Sequence, residues 1–92
     1  MNAWAPGARP MLRSPGRMKY DRARQADLLL LPERVVQLNH AAGAILWLCN
    51  GRRTTAQIVS ELETRYGQFG LEEDVLAFLG TAVDQGWVEA CP

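Results

Sequence analysis

The chain is poor in the residues from which most compact active sites are built. One histidine, His40, and two cysteines, Cys49 and Cys91, are its whole supply of soft ligands, and no Cys-x-x-Cys pair occurs. That inventory does not support a four-ligand zinc cage, and two cysteines so far apart indicate no disulfide framework. No glycine-rich phosphate loop appears, because the glycines are scattered, so nucleotide binding is unsupported. No apolar run is long enough to span a bilayer. Residues 1–16, with Pro6, Pro10, Pro15, Gly7 and Gly16, lack the continuous apolar stretch of a secretory signal. A soluble, reducing, cytoplasmic setting without membrane contact is therefore expected.

The candidate reactive groups fare no better on inspection. His40 has no serine, cysteine or paired carboxylate pointing to a catalytic partner. Cys49 ends an apolar stretch, which suits a small buried hydrophobe rather than a nucleophile. Glu72, Glu73 and Asp74 are consecutive, so on a helix they point about 100° apart and cannot converge on a metal; the helix dipole explains acids at that place. With 92 residues the chain makes one domain, whose core is too small to hide an elaborate active site. No enzyme activity, metal or cofactor is expected.

What is present is a balance of charge that conceals a split. Ten basic residues face ten acidic ones, but Arg9, Arg13, Arg17, Lys19, Arg22 and Arg24 stand against Asp21 alone in residues 1–26. The remainder carries the other nine acids against Arg34, Arg52, Arg53 and Arg65. The two halves should attract. Residues 1–16 read as an extended or flexible arm, although Trp4, Met11 and Leu12 are apolar anchors that such an arm does not need. Residues 17–92 read as the folded domain.

Within that domain Arg17-Met18-Lys19-Tyr20 alternates as a short strand, Asp21 to Ala26 is a polar loop, and Leu28 to Leu31 and Val35 to Leu38 are two further strands hinged at Pro32-Glu33-Arg34. Val36 and Leu38 should face inward. Asn39 is a good N-cap for the apolar stretch Ala41 to Cys49, which Asn50-Gly51 closes as a left-handed C-cap. Thr54 and Gln57 fit a capping box for a second, amphipathic helix carrying Ile58, Val59, Leu62 and Tyr66. A third helix spans Leu71 to Gln85, with Val75, Leu76, Phe78, Leu79, Ala82 and Val83 forming a stripe wider than a small core needs. Trp87 and Val88 follow as a capping extension. The expected fold is α+β and winged-helix-like, a three-stranded antiparallel sheet packed on a three-helix bundle.

Such a sheet leaves a free edge, which invites aggregation unless it receives another chain as an added strand. A winged helix that reads DNA is the competing expectation. The acids of the third helix, with no lysine or arginine beside them, oppose it.

The segments LLPERVVQLN, AILWLCNG, TTAQIVSELETRYG, EEDVLAFL and QGW, in this order and spacing, resemble the PqqD family of pyrroloquinoline quinone biosynthesis over about Gly16 to Val88. Cys49-Asn50-Gly51 stands where that family more often has Cys-Asp-Gly. The resemblance implies a winged-helix-like peptide-recognition element. Such proteins hold the leader of a ribosomally made precursor peptide and present it to a radical S-adenosylmethionine enzyme, which owns the iron–sulfur clusters and cross-links a glutamate and a tyrosine. Tethering of that kind raises local concentration and needs no catalytic group in the adapter. The peptide is expected to pair with Arg34, Val35, Val36, Gln37 and Leu38 and to lie on the third helix at Asp74, Val75, Phe78 and Leu79. Which flank of that helix faces the groove stays open. A homodimer by exchange of Arg17 to Tyr20 between copies is a further expectation.

Overall fold

The computed structural model describes residues 4–91. Its elements are β1 (Pro10–Leu12), β2 (Arg17–Asp21), β3 (Ala26–Leu30), β4 (Val35–Leu38), α1 (His40–Trp47), α2 (Thr55–Tyr66), α3 (Glu72–Asp84) and β5 (Val88–Ala90). The three-stranded antiparallel sheet runs in the order β2-β3-β4, with Leu29 opposite both Met18 and Val36. Asp21 and Ala26 face each other across the first turn, where Asp21 Oδ1 accepts the Ala23 N–H at 3.0 Å. In the second, the Leu31 N–H donates to the Arg34 carbonyl at 2.9 Å around Pro32 and Glu33. The proline costs nothing there, because the turn asks no hydrogen of it.

The helices begin where their caps require. Asn39 Oδ1 accepts the Ala42 N–H at 2.8 Å. Thr54 and Gln57 exchange hydrogen bonds of 2.8 and 3.1 Å as a complete capping box. The end of α1 differs from expectation. The helix stops at Trp47 and its C-cap, Leu48, is right-handed. Gly51 does take a left-handed φ of 79°, but its N–H donates to the Pro10 carbonyl at 3.0 Å. That glycine serves the close approach of β1 rather than the helix end.

A second sheet, antiparallel β1-β5, was not expected from the sequence. Its three residue pairs join Pro10–Leu12 to Val88–Ala90, so the residues after Trp87 form a strand rather than a cap. The segment expected as an extended or flexible arm is, from Trp4 onward, packed on the body. Thr55 donates to the Ala8 carbonyl through both its N–H at 2.8 Å and its hydroxyl at 3.1 Å. Ala56 N–H reaches the Pro6 carbonyl at 3.1 Å, and Cys91 N–H the Arg9 carbonyl at 2.7 Å. Trp4 keeps 7% of its surface exposed. Prolines forbid a helix here, yet their carbonyls remain good acceptors, so an extended segment can dock by backbone bonds. The first three residues of that segment, and Pro92, lie outside the described residues.

The core lies between the three-stranded sheet and the helices, and Leu29, Leu46, Ile58, Leu79 and Val88 are fully buried in it. Each such aliphatic side chain contributes about 1.5–3 kcal/mol of transfer free energy. Among the described residues no helix is long and apolar enough to cross a membrane.

Candidate functional site

The outer edge of β4 has a definite hydrogen-bond polarity. Leu31 and Arg34 form a bonded pair at the hairpin end, and antiparallel ladders alternate, so Val36 and Leu38 turn their backbone groups toward β3. Val35 and Gln37 turn theirs outward, to an edge that pairs with no described strand. Side chains alternate in step. Val35 is 56% exposed and Gln37 is exposed, whereas Val36 is half-buried and Leu38 buried. Arg34 sits exposed at the turn.

Along α3 the inward line is Val75, Leu79 and Ala82, and its two flanks are treated differently. At about 100° per residue, Leu76 and Val83 share one flank and Leu71, Asp74 and Phe78 the other. Trp4 and Pro6 share a cavity wall with Leu76, and Trp4 shares another with Val83 and Val88. The N-terminal segment thus lies against the Leu76 flank, although Val83 at its far end stays 43% exposed. The Phe78 flank, with Phe78 half-buried against the same core as Leu38, Val36 and Val75, is left to face outward. Val75 and Leu79 correct the expectation of side-chain contact at their positions: Val75 keeps 2% of its surface exposed and Leu79 none, so both belong to the core beneath that flank. Leu38 is likewise a backbone position, its side chain being committed to the core.

At the N-terminal end of that flank lies a pocket of about 260 Å³ between the three helices. Ala44, Ile45, Leu62 and Val75 give it an apolar floor, and His40, Tyr66, Gln68 and Asp74 a polar rim. Tyr66 Oη and His40 Nε2 are hydrogen-bonded at 3.0 Å across the rim, with the two rings edge to face. The loop behind it is pinned by Glu63, whose Oε2 accepts the N–H groups of Gly70 and Leu71 at 2.9 and 3.1 Å. This carboxylate fixes the backbone that leads into α3, whose N-cap Leu71 makes no side-chain hydrogen bond.

His40 therefore has a phenol as partner, not a nucleophile. Burial pushes the Cys49 thiol up to about 12, so it is protonated at neutral pH, and it donates to the Ile45 carbonyl at 3.3 Å. Among the described residues no three His, Cys, Asp or Glu side chains gather as a metal site. Tyr66, Gln68, Leu71 and the Glu63 pin were not singled out as site residues from the sequence. Only Leu71 carried a signal, as an apolar residue one turn before Val75.

Residues 28–88 match the family described as Coenzyme PQQ synthesis protein D, PqqD. The chain belongs to the PqqD family. It is 46% identical over 81 residues to a protein of Pseudomonas aeruginosa named PqqA binding protein, covering 87% of this chain and 88% of the other. A protein of the same name from Methylococcus capsulatus is 40% identical over 72 residues, covering 78% and 77%. The fold matches the solution NMR structure of the PqqD truncation of Methylobacterium extorquens PqqCD, described as a functional, stand-alone RiPP recognition element. That match has a TM-score of 0.79 and 31% identity over 96% of both chains. All the positions expected to meet peptide fall inside the PqqD match. The departure from Cys-Asp-Gly is harmless, because Asn50 Oδ1 accepts the Arg52 and Arg53 N–H groups at 2.9 and 3.2 Å as an aspartate oxygen does.

Proposed function

We propose that this chain is a peptide-binding adapter of pyrroloquinoline quinone biosynthesis, which binds the leader of the precursor peptide and presents it to the radical S-adenosylmethionine enzyme that cross-links it. The observation that carries the reading is the outward backbone of Val35 and Gln37, on an edge of the sheet that pairs with no described strand. An extended peptide adds to that edge as a fourth strand, and its inward side chains meet Val36 and Phe78. Arg34 and Asp74 bound the groove with opposite charges. The chemistry belongs to the partner enzyme, and the adapter works by raising the concentration of substrate beside it. The names of the relatives support the same reading.

Titration of isotopically labelled protein with the precursor peptide tests it. Amide shifts are expected along Arg34 to Leu38 and Asp74 to Leu79. Shifts confined to the other free edge, β2, would overturn the assignment.

A winged-helix DNA-binding regulator is the weaker reading. Glu72, Glu73, Asp74 and Asp84 are exposed on α3, and a duplex laid there meets repulsion from its own phosphates. No sequence-specific footprint is expected. Exchange of β2 between two copies remains a separate proposal, and it requires the Asp21 to Ala26 turn to open. Light scattering over a wide concentration range tests it, and a strict monomer throughout would end it.

A further inference from the structure

We propose that the pocket between α1, α2 and α3 receives one large apolar side chain of the bound peptide, and that the residue two places from that anchor, on the same face of the added strand, is basic. This rests on the edge-pairing reading above and adds to it a sequence requirement on the peptide. The chain itself supplies the continuity: β4 passes through Asn39 directly into His40 and Ala41, which form the near rim. A strand laid along Val35 and Gln37 is carried by its own direction onto this rim. On the opposite wall, Leu71, Asp74 and Phe78 lie on the one flank of α3, so groove and pocket share a side.

The lining decides the chemistry. Its floor is aliphatic and offers no buried donor or acceptor to a polar side chain, which would lose its water there without replacement. Lysine and arginine are absent from the lining. Its carboxylate is Asp74, exposed at the rim, with Glu72 and Glu73 beside it in the first turn of the helix. A cation on the peptide residue two places from the anchor, which shares its face of the strand, is complementary to that turn, and an acid there is repelled. The Tyr66–His40 hydrogen bond joins α2 to α1 over the mouth and keeps its width fixed before the peptide arrives.

The test is a binding matrix read by calorimetry. Peptides in which each large apolar residue of the precursor is replaced singly by alanine are titrated against native protein, Ala41→Phe and Gln68→Trp. Both substitutions are at exposed positions on opposite rims, so either fills the mouth without entering the core. One peptide position should lose about tenfold in affinity against the native protein and nothing further against the filled variants. Asp74→Lys should reverse the preference at the peptide position two places from the anchor, favouring an acid over a lysine.

Native-like affinity for the intact peptide in both filled variants overturns the proposal, as does a matrix in which no position couples. Val35→Pro separates the two claims. If it loses binding while the filled variants keep it, edge pairing stands and the pocket is not used; if it and both filled variants bind normally, the edge-pairing reading itself fails.

Discussion

Cys49 and Gly43 show what single residues do for this fold. The thiol of Cys49 stays protonated in the native state up to about 12, whereas its ordinary value is 9.0. Its contribution to stability is therefore complete below pH 9.0. Above that the unfolded chain ionises and the folded one does not, so stability falls by about 1.4 kcal/mol per pH unit across the window up to about 12. Unfolding free energies from urea titration at pH 8.5 and 10.5 should separate by about 2 kcal/mol more in the native protein than in Cys49→Ala. Equal separation would mean that the thiol is hydrated in the native state. Gly43 is needed for a different reason. A Cβ there would stand 2.7 Å from Asp27 Cγ, and Asp27 Oδ1 accepts the Trp47 Nε1–H at 2.8 Å. Gly43→Ala should cost about 1–3 kcal/mol despite the better helix propensity of alanine, and Asp27→Ala in the same protein should recover much of it. A more stable Gly43→Ala, read by thermal melting, would contradict this. Burial of Cys49 was legible from its apolar neighbours. The demand at Gly43 was not, because it comes from an aspartate on another element.

At the scale of elements, the hairpins and helices carried local signatures and the second sheet did not. Alternation in Arg17 to Tyr20, the Pro32-Glu33 turn, the Asn39 cap and the Thr54–Gln57 box are short-range patterns, and each element formed where its pattern lay. The pairing of β1 with β5 joins three residues at each end of the chain, too few for alternation to register and too distant for any local rule. Trp4, Met11 and Leu12 were the one sign that the N-terminal segment docks. The flank of α3 that faces the groove depends on that docking, so it could not be read from the helix alone. Trp4→Ala should cost about 3 kcal/mol, and Thr55→Val, which removes one of two bonds to the Ala8 carbonyl, about 1 kcal/mol. Both are measurable by denaturant unfolding. A Trp4→Ala protein with unchanged midpoint would show that the segment is not part of the cooperative unit.

For the whole molecule, the arrangement is a small core whose two long seams are used differently. The N-terminal segment packs Trp4 and Pro6 toward one seam of α3 and is held by backbone bonds to α2. The β4 edge pairs with no described strand, and in the proposed function it is where a second chain adds. Isolated free edges invite aggregation, and here the exposed strand is short, with Gln37 on it and Arg34 at the turn before it. The measurement that bears most directly on the account is calorimetric titration of the precursor peptide into native protein, Val35→Pro and Gln37→Pro. Each proline removes an outward N–H from an edge position, where the ladder to β3 does not use it. Affinity should fall about tenfold or more in each variant, while the thermal transition stays close to that of the native protein. Two folded proline variants that bind the peptide as tightly as the native chain would contradict strand addition at β4.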